Sequence, residues 1–274
     1  MTYYLKMNFE NLTFDDYDRY LLNKNCKIIH QIWFSTGIQS KIASSKTLNL
    51  LKKFRDSWLN FNPNWYYKLW NQKESRDFIK KFYPEHLQLY DGYKFAIQKC
   101  DAVRYFLLHR YGGLYIDMDY VCCKSWDDVR IQYDKDIYLV KKPSGSVSNS
   151  MIGCFTKENP FMKFIFIELH QSKKQPLYYN KELTVLTSTG ERMLNRVFCR
   201  QSKQVALYPF EKFHPFGVTS ELKLLEDDPL GCRIYAYHIE RRDWVSNRNF
   251  LSFLHSEFRL LTLLILLQIC KVLI

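Results

Sequence analysis

A pair of glycines at 112–113 divides two different periodicities inside 23 residues, QKCDAVRYFLLHRYGGLYIDMDY, running from Gln98 to Tyr120. Before the pair, Ile97, Cys100, Val103, Leu107 and Tyr111 recur at spacings of three and four. That period predicts a helix from about Tyr93 to Tyr111 with one apolar stripe, and Asp101 and Arg104, three apart, share a face beside it. Glycine caps such a helix because it adopts the left-handed conformation without a Cβ penalty. After the pair, Leu114 to Tyr120 alternates as a strand does, sending Leu114, Ile116 and Met118 one way and Tyr115, Asp117 and Asp119 the other. Two carboxylates then leave one face, roughly 6.5–7 Å apart at Cα. This is wide for joint chelation of one ion, so unequal roles are expected. Carboxyl ends of strands in open α/β sheets face the ligand crevice, and hard divalent cations there take one or two carboxylates plus substrate phosphate oxygens.

The joint pattern of Asp101, Arg104, Tyr105, Gly112, Gly113, Tyr115, Asp117 and Asp119 resembles the core of the glycosyltransferases that carry a DXD sugar-binding region. That family includes the yeast initiating mannosyltransferases and the inositol-phosphoceramide mannosyltransferases, and it is related to the clostridial glucosylating toxins. The resemblance implies an α/β chain with a GT-A-like fold, a Rossmann-like central mixed sheet flanked by helices. It implies a retaining hexosyltransferase that uses a nucleotide-sugar donor and Mn²⁺ or Mg²⁺.

By the same resemblance, Asp101, Arg104 and Asp119 are the catalytic group and Asp117, Asp119 and His238 the metal group. Trp33, Asp101, Arg104, Tyr115, Asp117, Asn149, Trp244 and Ser246 would bind the donor, with Trp33 stacking on its base and His30 a structural neighbour. The family's late Ser-Trp pair is here Asp243-Trp244-Val245-Ser246, and its Thr-Gly-Pro phrase is Thr189-Gly190-Glu191. Both departures weaken the carry-over locally. GDP-mannose and UDP-hexoses both remain open as donors, and a glycan, a lipid headgroup or a protein side chain as acceptor. A decayed sugar-nucleotide-binding module, a metal-dependent nucleotide-sugar hydrolase and a basic membrane-surface adaptor are the alternatives.

Around this centre, 274 residues with 47% hydrophobic and 17% aromatic content provide for one large α/β domain or two small ones. We assign 1–25 to an N-terminal extension, 26–250 to the transferase domain and 251–274 to an apolar C-terminal helix. Lys27 to Phe34 reads as the first strand and Thr47 to Phe61 as a helix with Leu48, Leu51, Phe54, Trp58 and Phe61 inward. Trp65 to Trp70 reads as the second strand, Glu74 to Phe82 as a helix ended before Pro84, and Asp136 to Val140 as another strand. Pro143 to Ser150 reads as a flexible loop able to close over a donor, and Asn159-Pro160 starts a helix through about His170. Thr184 to Thr189 reads as a strand leading into a helix from Glu191 to Phe198. Ile234 to Tyr237 is a strand that delivers His238, and His214 is a minor candidate in a loop.

The net charge of +12 suits an anionic partner such as a nucleotide diphosphate or a phospholipid headgroup. The basic residues come as scattered doublets, which argues against nucleic acid. Eight cysteines show no zinc spacing and read mostly as buried or free thiols, with pairing open if the chain folds in an oxidising lumen. No secretory signal is visible in Met1 to Asn25. Leu260 to Ile274, interrupted by Gln268 and Lys271, is shorter than the roughly 20 residues that span a bilayer. Contact with a membrane through 260–274, at the Golgi, the ER or another surface, and a cytoplasmic chain whose tail packs on the domain are both open.

Overall fold

The computed structural model describes residues 14–23, 25–34, 45–130, 135–142, 144–209, 212–213 and 236–238. In chain order the elements are helix α1 (Phe14–Leu22), strand β1 (Ile28–Ile32), α2 (Ser45–Phe61), β2 (Tyr66–Trp70), α3 (Gln72–Phe82) and, after a 3₁₀ turn at Pro84–His86, α4 (Leu87–Asp91). Next come α5 (Ala96–Tyr111), β3 (Gly113–Ile116), β4 (Tyr120–Cys122), α6 (Trp126–Arg130), β5 (Ile137–Lys141) and β6 (Val147–Cys154). The last are α7 (Pro160–Gln171), α8 (Lys181–Ser188), α9 (Glu191–Gln201), β7 (Val205–Tyr208) and β8 (Ala236–His238).

Six strands form a mixed sheet in the order β2-β1-β3-β6-β5-β7, and β4 and β8 form a separate antiparallel pair. β1 runs parallel to β2 and β3, whereas β6 is antiparallel to both β3 and β5. This is the expected α/β architecture of a mixed sheet flanked by helices. Both faces of the sheet are covered except at the edge strand β2, which is largely half-buried. Ile28, Ile32, Tyr115, Ile137 and Leu139 pack into one core cluster, while Ile29, Leu114, Ile116, Tyr138 and Val140 pack into another. A sheet buried on both sides explains why β3 and most of β5 are apolar on both faces, and why the polar residues of β1, His30 and Gln31, are buried and hydrogen-bonded.

The helix before the glycine pair is buried nearly all round rather than along one stripe. Asp101 through Leu108 are all buried, and Gln98 and Tyr111 are too, while Ile97 and Cys100 of the expected stripe are only half-buried. The reason is its position, with the sheet on one side and α7 and α8 on others. In α2, Leu51, Phe54 and Trp58 are buried as expected, but Phe61 at its end is exposed.

Three elements depart from the sequence reading. The strand expected over Leu114 to Tyr120 stops at Ile116, turns through Met118 and Asp119, and resumes as β4 in the second sheet. The Asp117 amide donates to Ser150 O at 2.8 Å, and Tyr120 instead pairs with His238. Of the stretch read as a flexible loop, only Ser144 to Ser146 form a turn among the described residues. Val147 to Ser150 belong to β6, where Asn195 Oδ1 accepts from the Val147 amide and Asn195 Nδ2 donates to its carbonyl, both at 2.8 Å. Thr184 to Thr189, read as a strand, lies in α8 and its C-cap. Asn180 caps that helix, accepting from the Leu183 amide at 2.8 Å, and the Thr187 and Ser188 hydroxyls donate back to the carbonyls of Leu183 and Thr184, each at 2.6 Å. Local side-chain bonding thus absorbs the hydroxyls that otherwise favour extended chain.

Candidate active site

The glycine pair sets the geometry. Gly112 and Gly113 have φ of 67° and 96°, and a Cβ on Gly113 would stand 2.3 Å from Ile28 O. Only glycine lets α5 end this close to β1. The Gly112 carbonyl accepts from His30 Nε2 at 3.0 Å, while His30 Nδ1 accepts from the Trp70 indole at 3.2 Å. These two bonds define a neutral Nε2–H tautomer, and burial lowers the His30 pKa to about 4. His30 is therefore the structural neighbour expected.

On α5, Asp101 and Arg104 are only 4% and 3% exposed. Arg104 Nη2 lies 2.6 Å from Asp101 Oδ1. Asp101 also accepts from Asn149 Nδ2 and Thr189 Oγ1, each at 3.2 Å. Burial pushes the Asp101 carboxyl up to about 6, against the opposing pull of Arg104. Burial likewise works against the Arg104 charge, but Tyr115, Asp101 and Asp117 outweigh it and raise its pKa.

Arg104 joins this pair to the acidic turn. Its Nη1 donates to Asn149 O at 2.6 Å and stands 3.6 Å from Asp117 Oδ1, and its guanidinium carbon is 4.3 Å from the Tyr115 ring centroid. The Tyr115 hydroxyl donates to the same Asp117 oxygen at 2.5 Å. The Asp117 side chain is nonetheless about one-third exposed, at 32%. The Asp117 carbonyl accepts from Gln31 Nε2 at 3.2 Å, and Gln31 Oε1 in turn accepts from the Tyr67 hydroxyl at 2.7 Å.

Beyond the turn, the Trp58 indole donates to Tyr120 O at 3.0 Å, and the Tyr120 hydroxyl bonds Ser150 Oγ at 2.9 Å. The turn is thus held on both sides by buried groups, while the end of Asp117 reaches solvent.

Of the residues read from sequence, Asp101, Arg104, Tyr115, Asp117 and Asn149 are brought into one network. Asn149 reaches it from a strand rather than a mobile loop. Trp33 packs half-buried on Leu51, Phe54 and Val121, as does Met118 between the two aspartates. The backbone of His238 pairs with Tyr120, the residue after Asp119. Trp244, Ser246, His214 and the 260–274 tail lie outside the described residues.

Sequence reasoning missed Gln31, Tyr67, Ser150, Tyr120 and the bond from Thr189 to Asp101. The Thr-Gly phrase was visible as a motif, but only the packing of α8 on α5 shows what its hydroxyl touches.

Asp117 and Asp119 are hard oxygen donors of the kind Mn²⁺ or Mg²⁺ takes. Among the described residues no set of three His, Cys, Asp or Glu side chains is close enough to hold an ion unaided. Cys100, Cys122, Cys154 and Cys199 are free thiols. No described helix is long and apolar enough to cross a membrane.

Residues 49–136 match the family described as "Glycosyltransferase sugar-binding region containing DXD motif". A glycosyltransferase of Acanthamoeba polyphaga mimivirus, named as uncharacterized, is 30% identical over 225 residues, covering 79% of this chain and 82% of its own length. The chain belongs to the DXD-motif glycosyltransferase family. Within that family, inositol phosphoceramide mannosyltransferase 3 of Schizosaccharomyces pombe is 33% identical over 172 residues, or 63% of this chain. The chain spans 44% and 48% of the lengths of this relative and of inositol phosphoceramide mannosyltransferase 2. Among solved structures, the catalytic domain of alpha-toxin from Clostridium novyi aligns with 90% of the chain and 85% of its own, at 10% identity and a TM-score of 0.44. The DXD motif of the family description is Asp117-Met118-Asp119, and here it forms a turn between two sheets.

Proposed function

We propose that this chain transfers a hexose, mannose foremost, from a nucleotide-diphosphate sugar to a hydroxyl of a lipid or glycan acceptor, with a divalent cation and with retention at the anomeric carbon. The observation that carries the reading is the DXD turn itself, with the Asp117 carboxylate oriented by Arg104 and Tyr115 yet still reaching solvent. The names of the fission-yeast relatives support mannose and a membrane-lipid acceptor.

Asp119 and His238, with Asp117 directly or through water, would hold the cation, and donor diphosphate oxygens would complete its ligands. When bound, Mn²⁺ or Mg²⁺ supplies charge neutralisation to the departing diphosphate. The chain's own residues do the rest. Asp101, held by Arg104, Asn149 and Thr189, offers lone pairs to sugar hydroxyls. Arg104 keeps positive charge beneath the donor and fixes the Asp117 oxygen it shares with Tyr115, so that little reorganisation is needed when charge develops. No carboxylate is assigned as a nucleophile. The acceptor hydroxyl then attacks from the face the diphosphate leaves, passing its proton to a leaving phosphate oxygen. Trp33, Trp244 and Ser246 are proposed at the base and diphosphate ends of the donor, and a membrane of the secretory pathway is the proposed setting.

The test is donor hydrolysis without acceptor across GDP- and UDP-sugars, with and without Mn²⁺, on wild type and Asp119→Ala. Cation-dependent release from one donor, abolished in the variant, is expected. Silence across the panel together with no donor binding by calorimetry would overturn the reading.

A further inference from the structure

The loop from Ser172 to Asn180, which joins α7 to α8, exposes two large side chains to solvent. Leu177 is 104% and Tyr178 73% exposed, where a soluble surface gains nothing from such residues side by side. The loop tip is nevertheless held in place. Gln175 Nε2 donates to Ser172 O at 2.6 Å, the Gln175 side-chain amide lies 2.5 Å from Thr187 Oγ1, and the Tyr179 amide donates to Pro176 O at 3.0 Å. Leu177 and Tyr178 are therefore presented by a fixed turn.

Within the loop itself the charge is all positive. Residues 169–181 contain Lys173, Lys174 and Lys181 and no acid. A second loop, before α5, adds to this surface. Lys173 Cε lies 3.9 Å from where a Cβ on Gly92 would stand, and Lys94 and Lys181 both stand over the half-buried Phe95 ring, at 5.4 and 5.8 Å from its centroid. Of the bordering acids, Asp91 is paired bidentately with Arg76 at 2.7 and 2.8 Å, and Glu182 lies in the first turn of α8. Apolar tips ringed by lysines fit an anionic bilayer surface, where the side chains enter the headgroup region and each lysine is attracted by acidic lipid.

We propose that the rim formed by residues 92–95 and 172–181 docks on an acidic lipid surface. Its place in the fold gives this a consequence. Phe95 caps α5, and Asp101 follows six residues later on the same helix, about 9 Å further along its axis. Lys181 begins α8, whose C-cap Thr189 bonds Asp101. A membrane held at this rim lies within about two helical turns of Asp101, so an acceptor headgroup enters beside the buried network. The docking does not depend on which donor the site takes.

The experiment is flotation of the full chain with phosphatidylcholine vesicles, with and without phosphatidylserine. Backbone hydrogen exchange over 172–181 is followed in the same samples. Wild type is expected to float with the acidic vesicles, with protection gained at 172–181. Leu177→Asp/Tyr178→Asp and Lys173→Glu/Lys174→Glu should each lower acidic-vesicle partition by at least about tenfold, with unchanged thermal unfolding. Retained binding by both double variants, or vesicle binding without protection at 172–181, assigns membrane contact elsewhere and overturns the proposal. Protection at 172–181 that rises with protein concentration in the absence of vesicles makes this a self-association face and equally overturns it.

Discussion

Arg104 reaches back one helical turn to Asp101, with Nη2 2.6 Å from Oδ1, while the same guanidinium donates to Asn149 O and approaches Asp117. One buried cation therefore couples a helix, a strand and the DXD turn. Removing it should leave an uncompensated buried carboxylate and cost about 3–5 kcal/mol. Arg104→Met is expected to unfold at correspondingly lower denaturant, and Arg104→Met/Asp101→Asn to recover part of the loss. A double variant no more stable than the single one would show that the pair is not coupled.

The pH dependence of stability should carry the signature of Asp101. Burial raises this carboxyl from 3.8 to about 6. A group with a raised folded value contributes stability that is fully present below its unfolded value and is lost as pH rises through the folded one. Between about pH 4 and pH 6.5, wild type should lose on the order of 3 kcal/mol relative to Asp101→Asn. Donor hydrolysis, which draws on the carboxylate as an acceptor, should rise in wild type over the same interval. Equal slopes of urea-unfolding free energy against pH for both proteins would refute the assignment.

Tyr115→Phe removes a single hydroxyl, the one that bonds Asp117 at 2.5 Å. A hydrogen bond to a charged group contributes about 1.5–3 kcal/mol. The expected result is a fall of about tenfold or more in kcat/KM for donor hydrolysis and a higher Mn²⁺ requirement, with the fold retained by circular dichroism. An unchanged metal dependence would mean that the hydroxyl does not orient Asp117 for its task.

Glycine substitutions should separate backbone collision from backbone strain. Gly113→Ala meets Ile28 O at 2.3 Å, whereas Gly145, with φ of 83°, has nothing within 4 Å of an added Cβ. Gly113→Ala is expected to cost more than about 3 kcal/mol and Gly145→Ala about 1–2 kcal/mol. Thermal melts of the two variants make the comparison, and similar midpoints would contradict it.

Glu168 should matter for stability alone. It lies on α7 with a side chain 6% exposed, accepts from Arg196 Nε at 2.6 Å and also bonds Arg200, both on α9. Burial would raise its carboxyl, but the two arginines outweigh this and lower it. Its contribution is therefore present above the ordinary glutamate value and fades as pH falls through the lowered one. Glu168→Gln is expected to lose about 1–2 kcal/mol at neutral pH with donor hydrolysis unaltered, as urea unfolding and the hydrolysis assay would report.

Much of this could be read without coordinates because it is local. The helix ending at Gly112, the strand after Gly113, the core face of α2 and the capped start of α7 at Asn159 follow from periodicity and backbone preference alone. The acidic motif and its spacing to Asp101 and Arg104 were equally legible, and they pointed to the family to which the chain belongs. What misled was propensity without context. The β-branched run at Thr184 to Thr189 is helical because Asn180 caps it and its hydroxyls bond within the helix. The small residues Ser148 to Ser150 continue a central strand because Ser148 pairs with Val140 of β5, the Asp117 amide donates to Ser150 O, and Asn195 holds the strand's first residue, Val147.

The chain's own order of residues thus determined which groups are available and the local shape that carries them, since helical period, strand alternation and glycine φ are properties of neighbouring residues. Only the tertiary structure decided that Asp117 and Asp119 occupy a turn between two sheets and that Thr189 and Asn149 converge on Asp101 from far along the chain. It also decided that Arg104 is buried enough to tie them together. The physical reason is that burial and long-range hydrogen bonding arise from packing one element on another, and no window of neighbouring residues contains that information.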